Sequence, residues 1–336
     1  MCAGGESVGI PAQSRFSLCA VVVLALLAAV CTLPAYAQTY PLKAVRVIVP
    51  FPPGGISDVL SRVMAAHLTS AMGQQFIVEN RPGAGTTIAA DVVAKSPPDG
   101  HTIYFIDMTT HAINATLYSK LPYDSIRDFT QVAMVAQTPL IVVIHPSLPA
   151  KTTREFIALA KSRPGDMIYA SSGNGTIVHL STEAFASMAG IKMVHVPYKG
   201  SAPAVAALLG GEVGVTFSST PPALPHVKAG RLRAIGVTTA QRSPQIPDVP
   251  ALAETLKGYD IVLYSGVMGP AGIPRDVVNR LNKELARMLT LSNIKEVWEK
   301  QGAAPVTMGP EQVTEHLKSD IAKLGSIVRA TGAKVD

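Results

Sequence analysis

Charge is scarce in this 336-residue chain: Asp, Glu, Lys and Arg together make up 15%, and aromatic residues 5%. No block of Lys or Arg occurs, and few aromatics stand beside the basic residues. That pattern argues against nucleic acid as a partner, although the net charge is +6. Cysteine is rarer still, and all three residues, Cys2, Cys19 and Cys31, precede Ala37. Arg15 leads into an uncharged apolar run, residues 16–33, followed by Ala35-Tyr36-Ala37. A basic residue, an apolar stretch and a small-x-small site predict a secretory signal peptide, residues 1–37, cut after Ala37. An uncleaved membrane anchor and lipid attachment at Cys31 are the alternatives. The mature chain then carries no cysteine, which excludes disulfides, thiolate metal sites and a cysteine nucleophile. A second long apolar run is also missing, so the remaining apolar residues, within a total of 48%, must form a globular core. A mature length of roughly 300 residues suggests about two domains.

What is there is a steady alternation of strand-like and helix-like segments. "AVRVIVPF" reads as a strand, and a helix follows with Leu60, Val63, Met64, His67, Leu68 and Ala71 on one face. "FIVEN" (strand), "GTTIAADVVAKS" (helix) and "TIYFID" (strand) complete a βαβαβ unit, the pattern of a parallel, doubly wound sheet. A second set runs from the long strand "PLIVVIHPS" to "RLRAIGVTT". The C-terminal segments "PRDVVNRLNKELARMLT", "NIKEVWEKQ" and "PEQVTEHLKSDIAKLGSIVRA" are amphipathic helices whose apolar stripes need a sheet. The nearest unmatched one is the N-terminal sheet. The expected architecture is therefore α/β and two-lobed, with residues 38–139 plus 262–336 forming lobe 1 and residues 140–261 forming lobe 2. Two crossings, near Thr138–Val142 and Tyr259–Val267, form a two-strand hinge, and the space between such lobes is a natural ligand cleft.

Ligands of open α/β sheets bind beyond the carboxyl ends of the strands. The loop "PFPPGGISD" leaves such an end. Gly54 and Gly55 let a ligand approach the backbone, while Pro52 and Pro53 restrict the loop. Ser57 or Asp58 can cap the helix, whose free N–H groups and dipole favour an anion. In "YASSGNGTIVH" the same sequence of strand, polar turn and helix recurs. Ser171, Ser172, Asn174 and Thr176 offer donors, Gly173 and Gly175 expose amides, and His179 lies one helical turn after Thr176. Without a Walker lysine this loop is not a nucleotide site. Further candidates follow other strand ends: Thr109, Thr110 and His111; Tyr198, Lys199, Gly200 and Ser201; and Ser218 with Ser219. A tight turn at Gly54 and core packing of His179 are the structural alternatives.

The segments "YPLKAVRVIVPFPPGGISDVLSRVMAAHL", "GQQFIVENRPGAGTTIAADVVAKSPPDGHTIYF", "VPYKGSAPAVAALLGGEV" and "ALPHVKAGRLRAIGV" resemble the Bug family, or TctC-like proteins. These are the periplasmic solute-binding receptors of tripartite tricarboxylate transporters. The resemblance covers essentially the whole mature chain. It implies a type II periplasmic-binding-protein fold, a Venus flytrap of two doubly wound sheets. It further implies closure on a small carboxylate and delivery to membrane permease subunits. Carried over, Phe51–Ser57 and Ser171–Thr176 hold the proximal carboxylate, partly through ordered water, and His179 matches a histidine often found there. Many relatives have an aspartate where this chain has Ser218, which tilts the expected ligand from amino acids toward a di- or tricarboxylate or an aromatic acid. Neither a cofactor nor a metal is expected, and the receptor is expected to be a monomer. Two other functions stay open: an exported serine-type hydrolase using Ser171 or Ser172, His179 and Asp58 or Glu183, and a carboxylate sensor for a signalling partner.

Overall fold

The computed structural model describes residues 1–5 and 40–333. Residues 6–39, on which most of the expected signal peptide, its cleavage site, Cys19 and Cys31 fall, lie outside the described residues. The chain divides into two compact units, residues 1–40 and 41–336. The account below concerns the second.

The first strand, β1 (Val45–Val49), carries the β-branched run VRVIV and is buried except at Arg46, which pairs with Glu79. After the Pro-Pro-Gly-Gly turn, helix α1 (Ile56–Met72) buries Ile56, Leu60, Met64, Leu68 and Met72, a stripe at four-residue spacing. It stops at Gly73, whose φ of 74° is the left-handed C-cap that glycine adopts without a Cβ clash. Next come β2 (Phe76–Asn80), α2 (Thr87–Ala94), β3 (Thr102–Asp107), α3 (Met108–Leu117) and β4 (Phe129–Thr138). The second set is β5 (Ile141–Ile144), α4 (Thr153–Ser162), β6 (Met167–Ser171), α5 (Ile177–Ala189), β7 (Met193–Pro197), α6 (Ser201–Leu209), β8 (Val215–Ser218), α7 (Thr220–Lys228) and β9 (Arg233–Val237). The chain ends with β10 (Leu263–Pro270), α8 (Arg275–Met288), α9 (Ser292–Lys300), β11 (Ala304–Met308) and α10 (Pro310–Thr331).

These strands build two sheets. One has six strands in the order β11-β4-β10-β3-β1-β2, the other five in the order β7-β6-β8-β5-β9. The doubly wound α/β class holds, but neither sheet is purely parallel. β1 runs parallel to β2 and β3, whereas β10 is antiparallel to β3 and β4. Likewise β6 is parallel to β7 and β8, whereas β5 is antiparallel to β8 and β9. The physical reason is the crossing itself: a strand arriving from the other sheet enters against the direction of the strands already there. The long strand expected over "PLIVVIHPS" shortens to the four residues of β5.

Each sheet has its own core. Ile48, Ala89, Val93, Tyr104, Ile106 and Met268 pack together on the first. Ile141, Val143, Ala170, Val205, Leu208 and Val237 pack on the second. Helices α8 and α10 lie against β4, so the C-terminal stripes meet the six-stranded sheet. Both crossings are tied to Thr238, just after β9: Leu140 N–H donates to Thr238 Oγ1 (2.9 Å), Thr238 N–H donates to Leu140 O (3.0 Å), and Ile261 N–H donates to Thr238 O (2.9 Å). Thr109 Oγ1 donates to Val262 O (3.0 Å) and ties the second crossing to α3.

Candidate ligand site

Three loops that leave strand ends converge where the sheets face each other: the β1–α1 loop, the β6–α5 loop and the start of α6. A narrow inner cavity of about 20 Å³ lies between them, lined by Phe51, Pro52, Pro53, Gly55 and Ser57 from one side and Ser172, Gly200 and Ser219 from the other. A water needs roughly 10–15 Å³ of such space, so the lobes are closed down to the size of a single small group. An outer cavity of about 380 Å³ shares Phe51, Pro52 and Ser172 with it and adds Gly173, Asn174, Thr176, Tyr198 and Lys199.

The β1–α1 loop is held from behind by Asp58. Gly54 N–H donates to Asp58 Oδ2 (3.1 Å), and Asn80 Nδ2–H (2.9 Å) and Arg62 Nε–H (3.0 Å) donate to Oδ1. Burial pushes this carboxyl up, but the bonds from Arg62, Asn80 and Gly54 outweigh it and hold the group below its ordinary range. Asp58 is therefore neither a helix cap nor free for a ligand. The N-cap is Gly55, without a side-chain bond, and Ser57 lies buried in the first turn. The expectation that Ser57 or Asp58 caps this helix is thus corrected. The consequence favours a guest: the first-turn amides of α1 keep no intrahelical acceptor and open on the cavity. Gly54 has φ of +93°, which a side chain rarely adopts.

The β6–α5 loop is self-braced. Thr176 caps α5, accepting from His179 N–H (3.4 Å) while its hydroxyl donates to Gly173 O (2.8 Å). Gly175 N–H donates to His179 Nδ1 (3.3 Å), so that nitrogen is an acceptor and the ring neutral. Burial pushes the His179 pKa down, against a smaller upward pull from Glu183. The ring stacks on His195 with centroids 4.2 Å apart, and His195 stacks on Tyr169 at 4.7 Å. His195 Nε2 meets Ser171 Oγ at 2.6 Å. Burial, and then the neighbouring His179, push the His195 pKa down to about 3. His195 was not among the sequence candidates. It sits within a strand rather than after one, and only the polar residue in "MVHVP" marks it.

Other sequence candidates settle elsewhere. His111 is fully buried in lobe 1, stacked on Tyr123 and edge-on to Phe129, with Nε2 against Ser125 O (2.9 Å). It faces the aromatic core instead of the cleft. Thr110 bridges the lobes: its Oγ1 accepts from Ile177 N–H (3.0 Å) and donates to Asp107 Oδ2 (2.5 Å). One first-turn amide of α5 is thereby occupied by the protein itself. Ser218 Oγ donates to Ser219 O (2.9 Å), leaving the buried Ser219 Oγ, which lines the inner cavity, without a partner. Residues missed in the sequence include Asp107 and Leu140 in the inner cavity and the 82–86 loop in the outer one. In that loop Ala84 and Thr86 adopt φ of 43° and 81°, held by Tyr118 O–H to Ala84 O (2.9 Å) and Asn114 Nδ2–H to Gly85 O (2.7 Å).

Comparison with known proteins places the chain in a family. Residues 60–333 match the Tripartite tricarboxylate transporter family receptor. Protein BugT of Bordetella pertussis (strain Tohama I) is 37% identical over 322 residues, covering 95% of this chain and 98% of BugT. Among solved structures, R. palustris Rpa4515 with adipate superposes with a TM-score of 0.85 at 35% identity, covering 88% of this chain and 99% of that one. MatC from Rhodopseudomonas palustris with bound malate gives 0.82 at 29% identity, covering 86% and 100%. Among the described residues no helix is long and apolar enough to cross a membrane. With a family match over most of its length and a relative of this identity, the chain belongs to the receptor family of the tripartite tricarboxylate transporters.

Proposed function

We propose that this protein captures a small di- or tricarboxylate, or a related organic acid, between its lobes and delivers it to the membrane permease subunits of a tripartite transporter. The observation that carries this reading is the inner cavity. The N-termini of α1 from one sheet's side and of α5 and α6 from the other line it beside the unpartnered hydroxyl of Ser219. Each such terminus carries roughly half a positive charge, and charge-assisted hydrogen bonds add about 1.5–3 kcal/mol each. The ligand carboxylate lies against the amides of Ile56 and Ser57, the Val178 amide and Ser219 Oγ, while the rest of the molecule extends into the outer cavity past Tyr198 and Lys199. Adipate and malate, the ligands of Rpa4515 and MatC, have this form. Lobe 1 comprises residues 38–139 plus 262–336 and lobe 2 residues 140–261. The protein works as a monomer, exported by the signal peptide over residues 1–37.

The protein binds without catalysis in this reading. Ser171 and His195 have the separation of a nucleophile and its base, which is the one observation favouring an exported hydrolase. Ser171 is fully buried, however, and its Oγ also exchanges bonds with Gly173 O (3.2 Å) and N–H (3.1 Å). The pair braces the loop. A thermal-shift screen of small carboxylates tests the proposal. A true ligand at 100 times its Kd adds about 2.7 kcal/mol of stability. If no acid stabilises the protein while neutral sugars or nucleosides do, the proposal is wrong; ester turnover abolished by Ser171→Ala would favour the hydrolase.

A further inference from the structure

Among the residues lining the inner cavity only one side chain is ionisable, and it is acidic. Asp107 ends β3 and is 1% exposed. Its carboxylate caps α3: Oδ1 accepts from Thr110 N–H (2.9 Å), Oδ2 accepts from Thr110 Oγ1 (2.5 Å), and the Thr109 amide also donates. A carboxylate has about four lone-pair sites, so these three donors leave one unfilled on a residue that lines the cavity. No Lys, Arg or His lines that space. Of the titratable groups on the surrounding elements, His67 lies farther along α1 among Glu284 and Arg287, and the others have contacts of their own. Tyr104 on β3 donates to Thr86 O, and His111 on α3 meets Ser125 O. Asp58 on α1 is paired with Arg62. His179 on α5 accepts from Gly175, and Tyr264 on β10 packs edge-on against His316. On β10 the register partner of Asp107 is Ser265, whose buried Oγ has no partner.

An anionic guest would therefore enter a nearly dry space that already holds a carboxylate. Two like charges so placed cannot both stay ionised without a large cost, and one of them takes a proton. The α3 terminus does not relieve this, because Asp107 already consumes it. We propose that Asp107 is a ligand-site residue that takes up a proton from solvent as the acid binds, so that the receptor loads the acid and a proton together. The new O–H sits on the unfilled lone-pair site and donates to the guest's carboxylate. No other bond changes. This inference rests on the carboxylate reading of the cavity. Burial alone already lifts Asp107 to about 6, so the free protein is mostly ionised there at pH 7 and has a proton to gain.

Isothermal titration with succinate, malate and adipate, in phosphate and in Tris at pH 7, counts the protons. The expected result is uptake approaching one proton per bound acid and a Kd that weakens about tenfold from pH 7 to pH 8. Asp107→Asn retains a good N-cap; it should bind without proton uptake, lose the pH dependence, and be at least tenfold tighter than the parent at pH 8. Should that variant fail to fold, the proton count on the parent protein decides the matter alone. Binding without proton uptake, or an unchanged pH slope in Asp107→Asn, overturns the inference and leaves the carboxylate reading standing. Absence of binding by these three and by every other small carboxylic acid of the thermal-shift screen, from pH 5 to pH 8, overturns both.

Discussion

Replacing Gly200 with alanine puts a methyl group where the two lobes touch. Gly200 precedes α6 on the five-stranded side, and its ideal Cβ would fall 2.8 Å from Pro52 Cγ and 3.0 Å from Pro52 Cδ, on the opposite loop. Carbon atoms in contact prefer about 3.5–4.0 Å, so the loops must part by most of an ångström. Overpacking of this kind costs roughly 1–3 kcal/mol, which corresponds to a 5- to 150-fold loss of affinity at about 1.4 kcal/mol per decade, provided that the liganded state is the closed one. A second cost is separable. Gly200 has φ of +127° and ψ of 169°, a region close to glycine-only. That strain, on the order of 1–3 kcal/mol, acts whether the lobes are open or shut and appears as lowered stability. Pro52→Ala removes Cγ and Cδ and so relieves only the first cost. The assay is a double-mutant cycle read by calorimetry on the best acid ligand, with urea unfolding alongside. Gly200→Ala should bind weakly, Pro52→Ala/Gly200→Ala should recover at least fivefold, and the unfolding free energy should stay low in both. Normal binding by Gly200→Ala, or no recovery in the double variant, would refute the claim that ligand binding closes Pro52 onto Gly200.

Asp58→Ala should cost about 1–3 kcal/mol or more in urea unfolding, because Gly54, Asn80 and Arg62 lose a shared buried acceptor. Since the folded Asp58 pKa is depressed, its stabilisation is present above the unfolded value near 4 and is lost as pH falls through the folded value; the parent should lose stability below pH 4 more steeply than Asp58→Asn. His179 and His195 both have lowered folded pKa values, His195 to about 3. The unfolded chain therefore binds more protons below the ordinary value near 6.5; His195 alone should lower stability by about 1.4 kcal/mol per pH unit from there toward 3, and His179 adds a loss in the same direction. His195→Phe should flatten that slope in pH-dependent urea titrations. Trp298, the single tryptophan, is fully buried and donates from Nε1 to Val135 O (3.2 Å). Its emission should be blue-shifted until global unfolding, and Trp298→Ala should cost about 3–5 kcal/mol by the same urea assay.

Strands rich in β-branched and aromatic residues, such as β1 and β3, were readable from composition, and helices such as α1 from the period of their apolar face. β4 was not. Eight of its ten residues are buried, so it lacks the polar alternation of a half-buried strand, and its Ala, Met and Gln residues carry little strand preference. The antiparallel entry of β5 and β10 follows from crossings whose direction no local pattern encodes. In the site, the two glycine loops were readable because only glycine tolerates their backbone geometry. Asp58 was misread because Asn80 meets it only in three dimensions, although Arg62, four residues on along the same helix, was a readable partner. His195 and Asp107 were missed for the opposite reasons: one lies inside a strand, the other on its last residue, and attention to loops passes over both. The Asp–x–x–Thr spacing from Asp107 to Thr110 was a cap signal that could have been read.

A crystal structure of the protein with a bound dicarboxylate tests the central claim most directly. The account predicts one carboxylate in the inner cavity, its oxygens within hydrogen-bond distance of a first-turn amide of α1, the Val178 amide and Ser219 Oγ. A dicarboxylate seated elsewhere, with the inner cavity still closed around water, would contradict it.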